Sequence, residues 1–265
     1  MGLFDFLKRK KKPNDKELEL KAFVNNKGQN TITLMSYNTQ HCLNYITQKI
    51  DYDMVADTIK RCGADIIGLQ EMRDESDSEG YDAQAKIVAD KLGYHYYYFA
   101  EAIRFNGKNP YGNALISRYP IISAETIKIS DPLFKKYPGY YETRCILSAK
   151  IVVAGGLNVL TSHFGLNPDE HKKAVKTVVS NLPKEKCVLM GDFNMKPHNK
   201  ILRPIQERLF DTAELFPVPR LSCPSDKPKM KIDYIFTSHD LKVATADIPE
   251  IISSDHRPHI ATLEI

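Results

Sequence analysis

Five apolar runs in this chain end on, or lead from, side chains that can do chemistry. Asn38 closes TITLMSYN, Glu71 follows IIGLQ, and His163 follows LNVLTS. Asp192 and Asn194 close CVLMGDFN, and Asp255 and His256 stand before the last apolar run, PHIATLEI. Strand ends and the loops they feed are where α/β proteins usually build sites. Carboxylates hold hard divalent cations such as magnesium, which keeps several waters of its own. A histidine, with an ordinary pKa near ~6.5, suits the activation of water. A carboxylate beside it fixes the ring and stabilises its charged form. Amides donate hydrogen bonds to phosphoryl oxygens. Together these groups suit hydrolysis of a phosphate ester, with a cation neutralising the phosphate and the leaving oxygen.

The elements that must position them are legible as short apolar runs interspersed with helical patterns. A helix is expected from about Asp51 to Cys62, stopped by Gly63, and a second in YDAQAKIVADKL, ending at Gly93. A third is expected from about Pro168 to Asn181 and a short one around Asn199 to Arg208. GNALIS, IISAETIKI, ETRCILSAKIVVA and LNVLTSHF follow one another through Pro and Gly turns and read as strands. CVLMGDFN, KIDYIFTS, LKVATADI and PHIATLEI supply more. Strand runs mixed with helices indicate an α/β domain with large mixed sheets.

The 265 residues, 42% hydrophobic and 26% charged, have ordinary globular composition, which excludes a disordered or fibrous chain. Residues 1–30 carry eight basic side chains against four acidic ones, an excess equal to the net charge of the whole chain, +4. Residues 31–265 are therefore balanced, and that composition gives nucleic-acid binding no support. The division also marks the expected boundary between a basic tail, 1–30, and a catalytic domain, 31–265. In the tail, MGLFDFL precedes KRKKK, the pattern of a weak membrane-surface contact through residues 1–12. Five scattered cysteines without CxxC spacing are expected to be free thiols. With no secretory signal pattern, a cytoplasmic location is expected.

SYNTQH, IIGLQEM, YGNALISRYPI, LTSHFGL, VLMGDFN, KIDYIF and SSDHRPHIATLEI occur in this order. In that order they resemble the endonuclease/exonuclease/phosphatase superfamily of magnesium-dependent phosphoesterases. The resemblance implies a four-layer α/β/β/α sandwich of two mixed sheets flanked by helices, with Mg2+ as cofactor and Mn2+ as a substitute. Glu71 resembles the family's principal metal carboxylate, with Asn38 beside it and Asp255 as a further ligand. His256 resembles the histidine that activates water or stabilises the phosphorane, oriented by Asp233. Asp192 and Asn194 resemble the pair that positions the nucleophile; whether Asp192 or His256 is the base stays open. His163 resembles the second histidine of the phosphatase, sphingomyelinase and deoxyribonuclease branches. Asn113 lies where a partner of that histidine could sit, and Arg144 is placed to reach a phosphate. The activity implied is a phosphodiesterase or phosphatase acting through in-line attack of water. A nuclease acting on DNA or RNA, and a silent scaffold of the same fold, are the alternatives.

Overall fold

The computed structural model describes residues 30–265; the basic tail and its expected membrane-surface contact lie outside them. Twelve strands form two six-stranded sheets. The first has the order β11 (Val243–Asp247), β12 (His259–Glu264), β1 (Thr31–Asn38), β2 (Ile66–Arg73), β4 (Asn109–Ser117) and β3 (Tyr96–Phe105). The second runs β5 (Ile121–Ile129), β6 (Arg144–Ile151), β7 (Leu157–His163), β8 (Cys187–Asp192), β10 (Asp233–Thr237) and β9 (Phe210–Asp211). Each sheet mixes one parallel pair, β1 with β2 and β7 with β8, into otherwise antiparallel neighbours.

The sheets pack face to face over an apolar layer that includes Ile32, Leu34, Ile66, Leu147, Val188 and Ile235. Two helices, α1 (Tyr52–Cys62) and α2 (Gln84–Leu92), cover the outer face of the first sheet through Val55, Ile59 and Val88. The helix α3 (Pro168–Asn181) covers the second sheet through Ala174, Val175 and Val178. This is the α/β/β/α sandwich expected from the sequence. It follows from strand pairs that are apolar on both faces and therefore need cover on each side.

Most helix ends fall where the sequence placed them, although α2 starts at Gln84, three residues into YDAQAKIVADKL. Asp51 accepts the Met54 N–H at 2.9 Å to start α1, and Gly63 ends it in the left-handed conformation. Glu170 accepts the Asn167 N–H at 3.0 Å at the start of α3, with Pro168 in its first turn. The short helix expected from Asn199 to Arg208 is instead a 3-10 turn, Lys200–Leu202, continued by α4, Arg203–Gln206. Strand β3 was not legible in the sequence. It lies at an edge, its aromatic run Tyr96–Phe99 is only partly buried, and its alternation is irregular.

Register places the chemistry. In the second sheet His163 lies opposite Asp192, and Asp192 opposite Asp233, so three strands end in one row of polar side chains. In the first, Asn38 lies opposite Gln70, one residue before Glu71. Between β7 and β8 there is no room for a side chain at Gly191, where an added Cβ would stand 1.8 Å from the Ser162 carbonyl oxygen. Gly191→Ala must therefore separate these strands. It is expected to cost at least ~3 kcal/mol of stability in urea denaturation. A variant as stable as wild type would contradict this pairing.

Candidate functional site

Backbone strain marks two of the residues that converge at the ends of these strands. Glu71 has φ of 60° and sits where the β2–β4 register shifts between Leu69 and Met72. A bulge of this kind adds a residue to one strand and re-aims its side chain. Asn194 has φ of 51°, and its N–H donates to Asp192 Oδ1 at 2.9 Å, closing the turn of GDFN. Asparagine tolerates this left-handed conformation better than other non-glycine residues.

The carboxylate of Asp192 is the hub. Asn38 Nδ2 donates to Asp192 Oδ2 at 3.1 Å and to Glu71 Oε1 at 2.9 Å, bridging the two sheets. His163 Nε2 and His256 Nε2 stand 3.5 and 3.6 Å from the same Oδ2. His256 Nδ1 donates to Asp233 Oδ2 at 2.8 Å, which turns Nε2 toward Asp192. Asp255 is half-buried and accepts the Ser254 hydroxyl at 3.0 Å.

An aromatic follows each of three functional residues, and these rings lock the loops together. Phe164 after His163 stacks on Phe193 after Asp192, with centroids 4.3 Å apart. Phe193 stacks in turn on Tyr234 after Asp233, at 5.3 Å. The Tyr234 hydroxyl donates to the Met195 carbonyl at 2.7 Å. Rigid support of this kind holds side chains to the tolerance that chemistry requires.

Burial and charge separate the two histidines. His163 is pushed well below the ordinary histidine range by burial first, then by the Arg144 guanidinium and His256. Arg144 Nη1 lies 3.0 Å from His163 Nδ1, and Asn194 Nδ2 lies 3.1 Å from Nε2. The Arg144 guanidinium can only donate, so Nδ1 has no acceptor there for a second proton. His256 goes the other way. Burial opposes its charge, but Asp233 and Asp192 together outweigh that and hold it well above the ordinary range. Burial, with Asp233 adding to it, pushes Asp192 up to about 7 against the pull of His256.

Eight of the ten residues singled out from the sequence meet in this network: Asn38, Glu71, Arg144, His163, Asp192, Asn194, Asp233 and His256. Asp255 adjoins it in the chain. Asn113 does not touch His163; its Nδ2 donates to the Cys145 carbonyl at 3.1 Å. The partner of His163 is Arg144, which is buried and paired with Glu142 Oε1 at 2.6 Å. Glu142, two residues before Arg144 in ETR, was missed, as was Tyr111 of YGNAL. The Tyr111 hydroxyl bonds the Glu71 carboxylate, and burial, then the negative charges of Glu71 and Glu142, raise its pKa steeply. Position beside a motif residue was the only signal either carried.

Two sets of residues offer oxygen or nitrogen ligands to a cation. Asp192, Asp233 and His256 bring ligand atoms within 4.8 Å of one another. All three are buried, and Asp233 Oδ2 already takes the His256 N–H, so this trio is a hydrogen-bonded relay. Glu71 fits a cation better. Its carboxylate is half-buried, with neutral donors on it from Asn38 and Tyr111 and no cationic side chain paired with it among the described residues.

The comparisons with known proteins meet this geometry. Residues 35–256, most of the chain, match the Endonuclease/Exonuclease/phosphatase family. The chain belongs to that family. No curated protein matches it in sequence. Solved members share the family fold at low identity. The endonuclease/exonuclease/phosphatase protein of Beutenbergia cavernae is 18% identical, with a TM-score of 0.72, over 89% of this chain and 72% of that one. The mannosyl-6-phosphatase of Bacteroides thetaiotaomicron is 17% identical, with a TM-score of 0.71, over 88% of this chain and 100% of that one. ANGEL2, a 2',3'-cyclic phosphatase, is 18% identical, with a TM-score of 0.65, over 88% and 95%. In endonuclease/exonuclease/phosphatase terms the row His163–Asp192–Asp233 lies in one sheet and Asn38 with Glu71 in the other. Among the described residues no helix is long and apolar enough to cross a membrane.

Proposed function

We propose that this protein hydrolyses phosphate esters in a reaction that depends on a divalent cation, Mg2+ or Mn2+. The observation that carries this reading is the convergence on one carboxylate, Asp192, of Asn38, His163, Asn194 and His256 from both sheets. A cation held by Glu71, with Asn38 and Asp255, supplies charge neutralisation at the phosphate.

The chain's own residues do the rest. Asp192 carries a raised pKa, so it accepts a proton from the attacking water more readily than an ordinary carboxylate would. His256, held charged by Asp233 and Asp192, donates Nε2–H to a phosphoryl oxygen as negative charge builds there. His163, kept neutral, and the amide of Asn194 add hydrogen-bonding groups on the other side of Asp192. Arg144 acts through His163, because its Nη1 faces the ring and also pairs with Glu142.

The test is turnover of bis-p-nitrophenyl phosphate and p-nitrophenyl phosphate by purified protein with Mg2+ or Mn2+. Turnover should vanish with EDTA and fall at least ~100-fold in His256→Ala. Turnover that survives EDTA would refute the cation, and an active His256→Ala would refute the assignment of that residue.

A further inference from the structure

The loop joining β5 to β6 carries an apolar and cationic apex that nothing among the described residues covers. Leu133 is 89% exposed and Phe134 78%, and every residue from Leu133 to Tyr140 is exposed. Tyr140, at the end of this run, is 58% exposed. Its carbonyl takes the Asn167 amide at 2.9 Å, and Leu166, next to Asn167, is 57% exposed. Single exposed apolar residues are ordinary; a run of them beside one another marks a contact surface.

This loop is stapled at its base. Thr143 Oγ1 donates to Asp131 at 2.9 Å, and the Tyr141 hydroxyl donates to Asp169 at the start of α3 at 2.9 Å. The base is also continuous with the site, because Glu142 pairs with Arg144 and Arg144 with His163. The apex is therefore held at a fixed place on the rim.

Charge selects the partner. Glu142 is buried and paired with Arg144, Asp131 and Asp169 at the base accept hydrogen bonds from Thr143, Tyr141 and the Lys136 N–H, and the apex itself, 133–140, has two lysines and no acidic residue. The charge that the apex itself exposes is cationic. Lys135 stands over the Tyr141 ring at 5.1 Å, and Lys136 makes no ion pair among the described residues. Apolar tips with adjacent lysines and tyrosines are the composition that enters the headgroup layer of an anionic bilayer. The same order, apolar pair then cations, recurs in the sequence at Phe6-Leu7-Lys8-Arg9. Two weak signals together are what stable attachment to a membrane surface requires. Nucleic acid fits less well. Residues 31–265 are charge-balanced, and the most exposed apex side chain, Leu133, has no ring on which a base could stack.

We propose that the 133–140 loop docks this protein on anionic bilayers and so turns the site toward phosphate esters presented at a membrane surface. The docking stands by itself; the nature of the substrate rests on the hydrolytic reading above. The test uses the full chain in co-sedimentation with phosphatidylcholine vesicles, with and without about 30% phosphatidylserine. Wild type should partition onto the anionic vesicles and be released by salt. Leu133→Ser/Phe134→Ser should lower that partition at least ~10-fold, and Lys135→Glu/Lys136→Glu should do the same. Turnover of soluble bis-p-nitrophenyl phosphate by the loop variants should equal that of wild type, which excludes misfolding. Wild type that ignores anionic vesicles overturns the proposal. So does a loop variant that still binds them fully, which would leave attachment to the first thirty residues. Loss of oligonucleotide binding in the loop variants, with vesicle binding intact, would also overturn it. Vesicle binding by a protein that fails to cleave any ester would uphold the docking surface and refute the hydrolytic reading alone.

Discussion

Asp192→Asn is expected to lower turnover by at least ~10^3-fold while changing stability by less than ~1 kcal/mol. The two effects separate because of where the carboxylate lies. It is 1% exposed, and burial already opposes its charge, so an amide of the same shape removes a desolvation cost as well as favourable contacts. What the amide cannot do is take a proton. It also leaves His256 facing a neutral group at 3.6 Å, with only Asp233 to stabilise its charge. A pH profile checks the role. Wild-type turnover should rise with pH as Asp192, pushed up to about 7, gives up its proton. A cation at Glu71 moves that rise to lower pH without removing it. The residual rate of the variant should lack it. Turnover within tenfold of wild type, or an unchanged profile, would transfer the role of base to His256.

The second large effect is on stability. Arg144 and Glu142 form a buried ion pair, with side chains 10% and 8% exposed, beneath His163. Arg144→Leu removes the cation and leaves the carboxylate buried and unpaired, which costs about 3–5 kcal/mol. For a domain of this size that is a fall in Tm of roughly 6–15 °C. Arg144→Leu/Glu142→Leu should recover most of the loss, because replacing both partners of a buried pair by apolar groups is often nearly neutral. Turnover should stay low in both variants, since His163 has lost the group that faces its Nδ1. Calorimetry on the three proteins decides it: a single variant as stable as wild type would show that the pair is solvated and contributes little.

Much of this site was legible because its residues lie at ends of elements that the sequence marks clearly. Asp51 and Gly63 bracket α1 as capping chemistry requires. The apolar runs ending in Asn38, Asp192 and His163 are strands whose last residues face the same rim. Their pairing in parallel, β1 with β2 and β7 with β8, brings those ends together, because parallel neighbours finish on the same side of a sheet.

Other features needed the tertiary structure. Asn113 was expected beside His163 and Arg144 at a phosphate, but which of them touches the ring depends on which way each strand's side chains point. Asn113 on β4 belongs to the first sheet and turns onto Cys145, whereas Arg144 opens β6, next to β7 in the second sheet. Glu142 had no visible partner until the loop before β6 folded back over Arg144. The bulge that aims Glu71, the bridge of Asn38 between Glu71 and Asp192, and the opposed charge states of the two histidines are also products of packing. The chemistry of each group is local and can be read from its type and its place at a strand end. The sharing of one carboxylate by groups from two sheets is set by register, burial and cross-sheet distance, quantities that exist only once the sandwich has closed.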